Sequence, residues 1–251
     1  MILIEGLPGC GKTTMASRLC SFLGRSGIEA EWWREEDAEH PITPRALKQS
    51  AARPGFAERC LEAWREGVAT SEREQRIHVL EGTVFQSTLR FMLEYGMART
   101  LILAYVVRLD EVLAPGAPAL VYLHAADPAS FLLERVLPDR GEPWISKVSA
   151  YLEGTPFCRS RGWAGQRGMV YFWLHYRELC DEALDRLTLP VHRVGVGEDR
   201  FADAERSVCA WSRAHLGAET GSSGSGGLEP GQGLDVRSEG EEGPGFERRE
   251  T

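Results

Sequence analysis

Along the chain, short apolar runs alternate with longer stretches whose apolar residues recur every three or four positions. This is the pattern of strands joined by crossover helices. The runs Ile2–Glu5, Glu29–Arg34, Ile77–Leu80 (running into Glu81), Leu120–Leu123 and Val191–Val194 predict five strands. Helices are expected over Lys12–Leu23, Ala57–Ser71, Thr88–Leu113, Pro128–Leu137, Val170–Leu187 and Asp203–Leu216. In the first of these, Met15, Leu19, Phe22 and Leu23 form the apolar stripe. The expected fold class is α/β, a three-layer α/β/α sandwich around a five-stranded parallel sheet. Ligands of such sheets sit at the carboxyl ends of the strands.

The pattern stops near Gly217. Residues 217–251 hold ten glycines and one aromatic residue, with eight acids against three arginines. A segment of that composition buries too little apolar surface to offset its ordering entropy, so a disordered tail is expected after a folded domain over 1–216. The tail carries five of the eight excess negative charges of the 251-residue chain. An acidic balance of 37 Asp and Glu against 29 Lys and Arg argues against nucleic-acid or anionic-membrane partners. No apolar run reaches the length of a membrane span. Six scattered cysteines without a CxxC pair, behind a start that lacks a basic leader, suit a cytoplasmic protein without structural zinc.

Chemistry enters with Gly6-Leu7-Pro8-Gly9-Cys10-Gly11-Lys12-Thr13, which fits GxxxxGK followed by serine or threonine. The glycines let the backbone N–H groups face phosphate oxygens, Lys12 reaches the β and γ oxygens, and the Thr13 hydroxyl is placed for Mg²⁺. Cys10 and Thr14 complete the expected cradle. A chance match in a chain this long has odds of roughly one in a hundred. Here the motif also follows a strand and opens a helix, so the loop is read as nucleotide-binding. Only three of the 29 basic residues are lysine (Lys12, Lys48 and Lys147), and one of them stands in this loop.

Other candidates are acids at strand ends. Glu81 ends the third strand beside the loop, where it is placed to hold Mg²⁺ or orient an acceptor. Asp110, after Tyr105–Leu109, is the competing metal acid if that stretch is a strand instead of a helix. The second strand ends in Glu35-Glu36-Asp37; alternation puts Glu35 and Asp37 on one side and Glu36 on the other, and leaves open which side faces the site. Trp64 and Phe85 read first as core aromatics and second as a base-binding pocket with Gln86. His175 reads as an ordinary helix histidine.

The loop so near Met1, in Ile2-Leu3-Ile4-Glu5-Gly6, resembles that of the nucleoside and nucleotide kinase group of phosphate-loop proteins. Val121–His124, Asp127-Pro128 and Leu133-Glu134-Arg135 resemble that group's fourth strand, its following helix and the arginine that enters its lid. Arg140-Gly141-Glu142 is similar to the lid's arginine-rich turn, and Tyr171–Tyr176 to a helix following the lid in deoxynucleoside kinases. The resemblance covers about residues 1–216 and implies ATP- and Mg²⁺-dependent phosphoryl transfer to a small-molecule acceptor, foremost a nucleoside or nucleoside monophosphate. It makes Arg135 and Arg140 the cations flanking one short turn, with Arg159, Arg161 and Arg167 as a further cover. It also places a proton-accepting carboxylate at Glu35 or Asp37. Where relatives carry an arginine just after the third-strand acid, this chain has Gly82 and Thr83. The acidic strand end favours a neutral hydroxyl acceptor, because it would repel a monophosphate. The alternatives are a kinase of another hydroxyl-bearing metabolite or antibiotic, a nucleotide-dependent switch, or a remodelling ATPase. A homodimer stays open.

Overall fold

The computed structural model describes residues 1–74, 76–197 and 200–222. In chain order the elements are β1 (Ile2–Gly6), α1 (Lys12–Arg25), β2 (Ala30–Trp33), α2 (Pro44–Ser50), α3 (Phe56–Arg73) and β3 (Ile77–Glu81). A π-helical turn, Phe85–Leu89, leads into α4 (Arg90–Glu94), followed by α5 (Arg99–Leu113) and β4 (Ala119–His124). Then α6 (Pro128–Ser130) passes through a second π-helical turn, Phe131–Val136, into α7 (Leu137–Glu153). The last elements are α8 (Pro156–Arg159), α9 (Gly165–Leu184), β5 (Val191–Gly195) and α10 (Phe201–Ser222).

The fold class is α/β, with one five-stranded, all-parallel sheet in the order β2-β3-β1-β4-β5. β1 therefore sits in the middle and reads as a near-continuous apolar run because both of its faces are covered. The chain moves to one side of β1 for β2 and β3 and to the other for β4 and β5, so the switch in direction falls at β1. That is where the carboxyl ends of such strands open a crevice. α1 buries Met15, Ala16, Leu19 and Leu23, the expected stripe less the half-buried Phe22, and packs on α10 and on β2 and β3. α5 packs on both α3 and α9, which makes a second group. Trp64 and Phe85 are fully inside, as core aromatics, and Phe85 meets Tyr122 edge-on.

The five strands and the six expected helices appear, and helix also forms in α8 and in α7 as far as Glu153, beyond the expected Pro128–Leu137. Three further differences are local. The stretch expected as one helix over Thr88–Leu113 breaks at Tyr95–Ala98. Gly96 adopts φ +77°, its N–H bonds to Leu93 O and that of Met97 to Met92 O, the closure in which a left-handed glycine ends a helix. The expected turn between Arg135 and Arg140 is helical through both residues, and the bend comes one residue later. There Gly141 (φ 72°, ψ 169°) leaves the helical conformation, and α7 consists of two helical segments that meet at this break, with Pro143 just beyond it. The seven-residue α2, with Pro44 in its first turn, was not expected at all. The glycine-rich acidic segment expected to be disordered lies, from residue 223 on, outside the described residues, and α10 runs on to Ser222. Among the described residues no helix is long and apolar enough to cross a membrane.

Asp110 is explained by packing. It is buried on α5, far along the chain from the loop, and its carboxylate accepts the N–H and hydroxyl of Thr188 and the N–H of Leu189. It thus pins the connection from α9 to β5. Asp110→Ala should lower stability by about 2 kcal/mol, since it strands donors that are partly shielded from water. A lower urea midpoint at unchanged slope checks this.

Candidate functional site

The loop between β1 and α1 is shaped by its glycines. Gly6 has φ +150° and lies against the Leu123 carbonyl of β4, so any Cβ there would strike backbone. Gly11, at φ +84°, immediately precedes Lys12, and a Cβ on it would come 2.6 Å from the Phe201 ring. The first turn of α1 holds no acid, so its free N–H groups and positive dipole end face the loop unopposed. The buried Lys12 lies back along the loop, its Nζ donating to Gly6 O (2.9 Å) and Leu7 O (3.2 Å). Cys10 is buried too, and burial pushes its thiol pKa up, so the helix end does not make it a thiolate.

Thr13 Oγ1 donates to Glu81 Oε1 at 2.6 Å, which joins the start of α1 to the end of β3. The second oxygen, Glu81 Oε2, is buried without a hydrogen bond of normal geometry, and burial raises this carboxyl's pKa against the opposing pull of Thr13, Lys12 and the Trp32 indole. Hydroxyl and carboxylate, with this second oxygen, form a hard-oxygen donor set that suits Mg²⁺. Among the described residues no group of three or more His, Cys, Asp or Glu is placed to hold a metal ion.

Beneath the loop lies a residue that sequence reasoning passed over. Glu5 is wholly buried, and its Oε1 accepts the N–H groups of Val84 (2.6 Å) and Phe85 (3.0 Å). Burial raises its pKa to about 7 despite those bonds and the nearby Lys12. The carboxyl holds the start of the first π-helical turn, and with it Gln86, Ser87 and Arg90. The available signal was an acid inside the apolar run Ile2-Leu3-Ile4-Glu5.

A cleft of about 690 Å³ opens over the loop, bringing Lys12, Thr13, Thr14 and Glu81 together with Glu35, Glu36 and Arg140. β2 stops at Trp33, so residues 34–37 form a turn and strand alternation no longer applies. Glu35 and Glu36 both reach the cleft, with Glu35 Oε2 3.2 Å from the Ser87 hydroxyl. Asp37 instead folds onto Arg34, accepting its backbone N–H (2.8 Å) and pairing with its guanidinium (3.0 Å). Arg140 stacks on Trp144, and Arg140, Trp144, Lys147 and Tyr151 on α7 all line the cleft.

Arg135 belongs elsewhere. It lines a separate cavity of about 470 Å³ with Gly9, Cys10, Gly11 and Phe201, and its Nε is 3.3 Å from Asp139. Both cavities reach Gly9 and Gly11, so they meet at the loop. The two arginines do not flank a turn; they face different sides of the glycines. Arg161 and Arg167 stack on Phe157 and Tyr171, and neither they nor Arg159 line either cavity. His175 lies among Phe157, Trp163 and Glu178, away from both.

Behind the cleft a second chamber of about 550 Å³ runs between α2 and α4. Cleft and chamber share Glu35, Glu36, Lys48, Arg90 and Tyr151 as a common waist. Lys12, Lys48 and Lys147, the chain's whole complement of lysine, all line the cleft. Lys48 and Lys147 were missed as site residues, although their rarity was a signal in the composition. No protein-family model matches the chain, and no curated protein matches it.

Proposed function

We propose that this chain is a phosphotransferase of the phosphate-loop kinase type, built as a three-layer α/β/α sandwich. It moves the γ-phosphoryl group of ATP onto the hydroxyl of a small molecule, a nucleoside being the class implied by the sequence resemblance. The observation that carries this is the Thr13–Glu81 contact with its buried second carboxylate oxygen, in one cleft with Lys12, Arg140, Lys147 and two carboxylates. Phosphoryl transfer asks a protein chiefly for positioning and charge neutralisation, and this wall supplies both.

The loop N–H groups and Lys12 hold the phosphates, while Arg140 and Lys147 approach from the α7 side. Thr13 and Glu81 would hold Mg²⁺, which when bound neutralises charge between the β and γ oxygens. Glu35, held beside the Ser87 hydroxyl, takes the proton of the attacking alcohol. With Glu36 next to it, an anionic nucleophile is repelled and an uncharged hydroxyl is accepted. Arg135, at the far side of the glycines, faces the cavity left for the remainder of the nucleotide.

The test is incubation of the full chain with γ-labelled ATP and Mg²⁺ against nucleosides, nucleoside monophosphates and other alcohols. Label on a hydroxyl acceptor is expected. Label released only to water would overturn the reading in favour of a nucleotide-dependent switch.

A further inference from the structure

The chamber behind the cleft meets it at a waist where Glu35 and Glu36 stand beside Lys48 and Arg90. Beyond the waist the sign is positive: Arg45, three residues before Lys48 on α2, lines the chamber and not the cleft. Lys48 itself sits 5.8 Å above the Phe91 ring, which also lines the chamber alone. Neither makes an ion pair among the described residues. Both are exposed.

Arg90 differs from them. It pairs with the fully buried Glu94 (3.1 Å), which also accepts the Tyr151 hydroxyl (2.6 Å), so its charge is cancelled and its guanidinium is held in place against Phe91. The chamber's cations outside an ion pair are therefore Arg45 and Lys48, next to a neutralised and rigid donor, with Glu35 and Glu36 at the waist. Pro44, Phe91 and Tyr95 line the chamber too and suit a flat or apolar body.

Building on the phosphotransferase reading, we infer that the acceptor is an alcohol that carries its own anion at the opposite end. Its hydroxyl lies at Glu35, its body lies along Phe91 and Tyr95, and a carboxylate or phosphate ester is held by Lys48 and Arg45, with Arg90 as a fixed donor. The anion is remote from the nucleophile, so the carboxylates that repel an anionic nucleophile and the cations that attract an anionic substrate do not conflict. Holding one charged end fixes the register of the other, which is the positioning an in-line transfer requires.

The experiment compares matched probe pairs on the full chain: hydroxymethylbenzoate against hydroxymethylbenzamide, and glycerol phosphate against glycerol. Binding is measured by calorimetry and label transfer from ATP in parallel. The anionic member of at least one pair should bind at least about tenfold more tightly, and which pair responds distinguishes carboxylate from phosphate. Lys48→Gln and Arg45→Gln should each remove most of that preference through KM for the anionic probe, and Arg45→Gln, outside the cleft, should leave KM for ATP unchanged. Lys48→Arg should retain it, and unchanged thermal unfolding of the exposed-site variants shows that the fold is kept.

Equal or undetectable binding within both pairs overturns the inference, as does a Lys48→Gln effect on ATP alone. Selective anion binding without label transfer to any alcohol keeps the anion site and sinks the phosphotransferase reading. Equal transfer to neutral and anionic members does the reverse.

Discussion

Lys12→Ala is expected to lower phosphoryl transfer about a thousandfold or more, equivalent to ~4 kcal/mol of lost transition-state stabilisation. The ammonium is buried and already within hydrogen-bond distance of two loop carbonyls, so it needs only a short excursion to reach phosphate oxygens. The same change removes the lysine donor from Gly6 O and Leu7 O, of which Leu7 O keeps the Cys10 N–H, so it costs about 1 kcal/mol of stability and leaves the fold intact. Lys12→Arg should be nearly as inactive, because a planar guanidinium does not replace a compact ammonium in so close a loop. Initial rates with labelled ATP, beside a thermal unfolding curve for each variant, check both halves. Transfer within tenfold of the parent by Lys12→Ala, with the fold intact, would remove the loop from the mechanism.

The second large effect concerns pH and stability. Glu5 has a folded pKa of about 7 against an ordinary value of 4.5, because burial penalises its charged form. The folded state therefore holds this proton more tightly than the unfolded chain. The linked stability is fully present below about pH 4.5 and is lost as pH rises through 7, roughly 3 kcal/mol across the interval. Glu5→Gln keeps an oxygen for the Val84 and Phe85 N–H groups but cannot titrate. Subtracting its unfolding free energy from that of the parent should give a difference that falls steadily from pH 5 to 7. A difference that stays level over that range would rule out the titration. Because Glu5 anchors the turn bearing Ser87 and Arg90, the cleft wall should loosen over the same interval, visible as faster amide exchange there.

What was legible in the sequence was what depends on local pattern. The central strands β1, β3 and β4 are buried and stood out as apolar runs, the half-buried edge strands β2 and β5 were short enough to be read within a residue or two, and the glycine loop declared itself by spacing. The rest depends on contacts between distant segments. Residues 44–50 make too short a helix, with only Pro44 and Leu47 buried, to show periodicity, yet they bring Arg45 and Lys48 to the chamber. Glu35 and Asp37 shared a side only while the strand was assumed to continue; once it stops at Trp33, the Arg34–Asp37 pair removes Asp37 from the cleft. The backbone does break at Gly141, as the Arg140-Gly141-Glu142 turn suggested, but residues 135–140 before it are helical, and Arg135 and Arg140 reach different cavities. Asp110 was told from a metal acid only by Thr188, 78 positions away.

The placement of the lysines has a chemical consequence. Reagents and enzymes that acylate side-chain nitrogen act on primary amines, and guanidinium groups are not their targets. In this chain the only such amines, apart from the amino terminus, are Lys12, Lys48 and Lys147. All three line the same cleft. The cell's acetylation chemistry and a chemist's activated esters therefore have no neutral place to land: each acyl group on a side chain removes a positive charge from the working wall. Conversely, whatever fills the cleft shields the side-chain amines together, so the rate of lysine labelling is a direct gauge of occupancy.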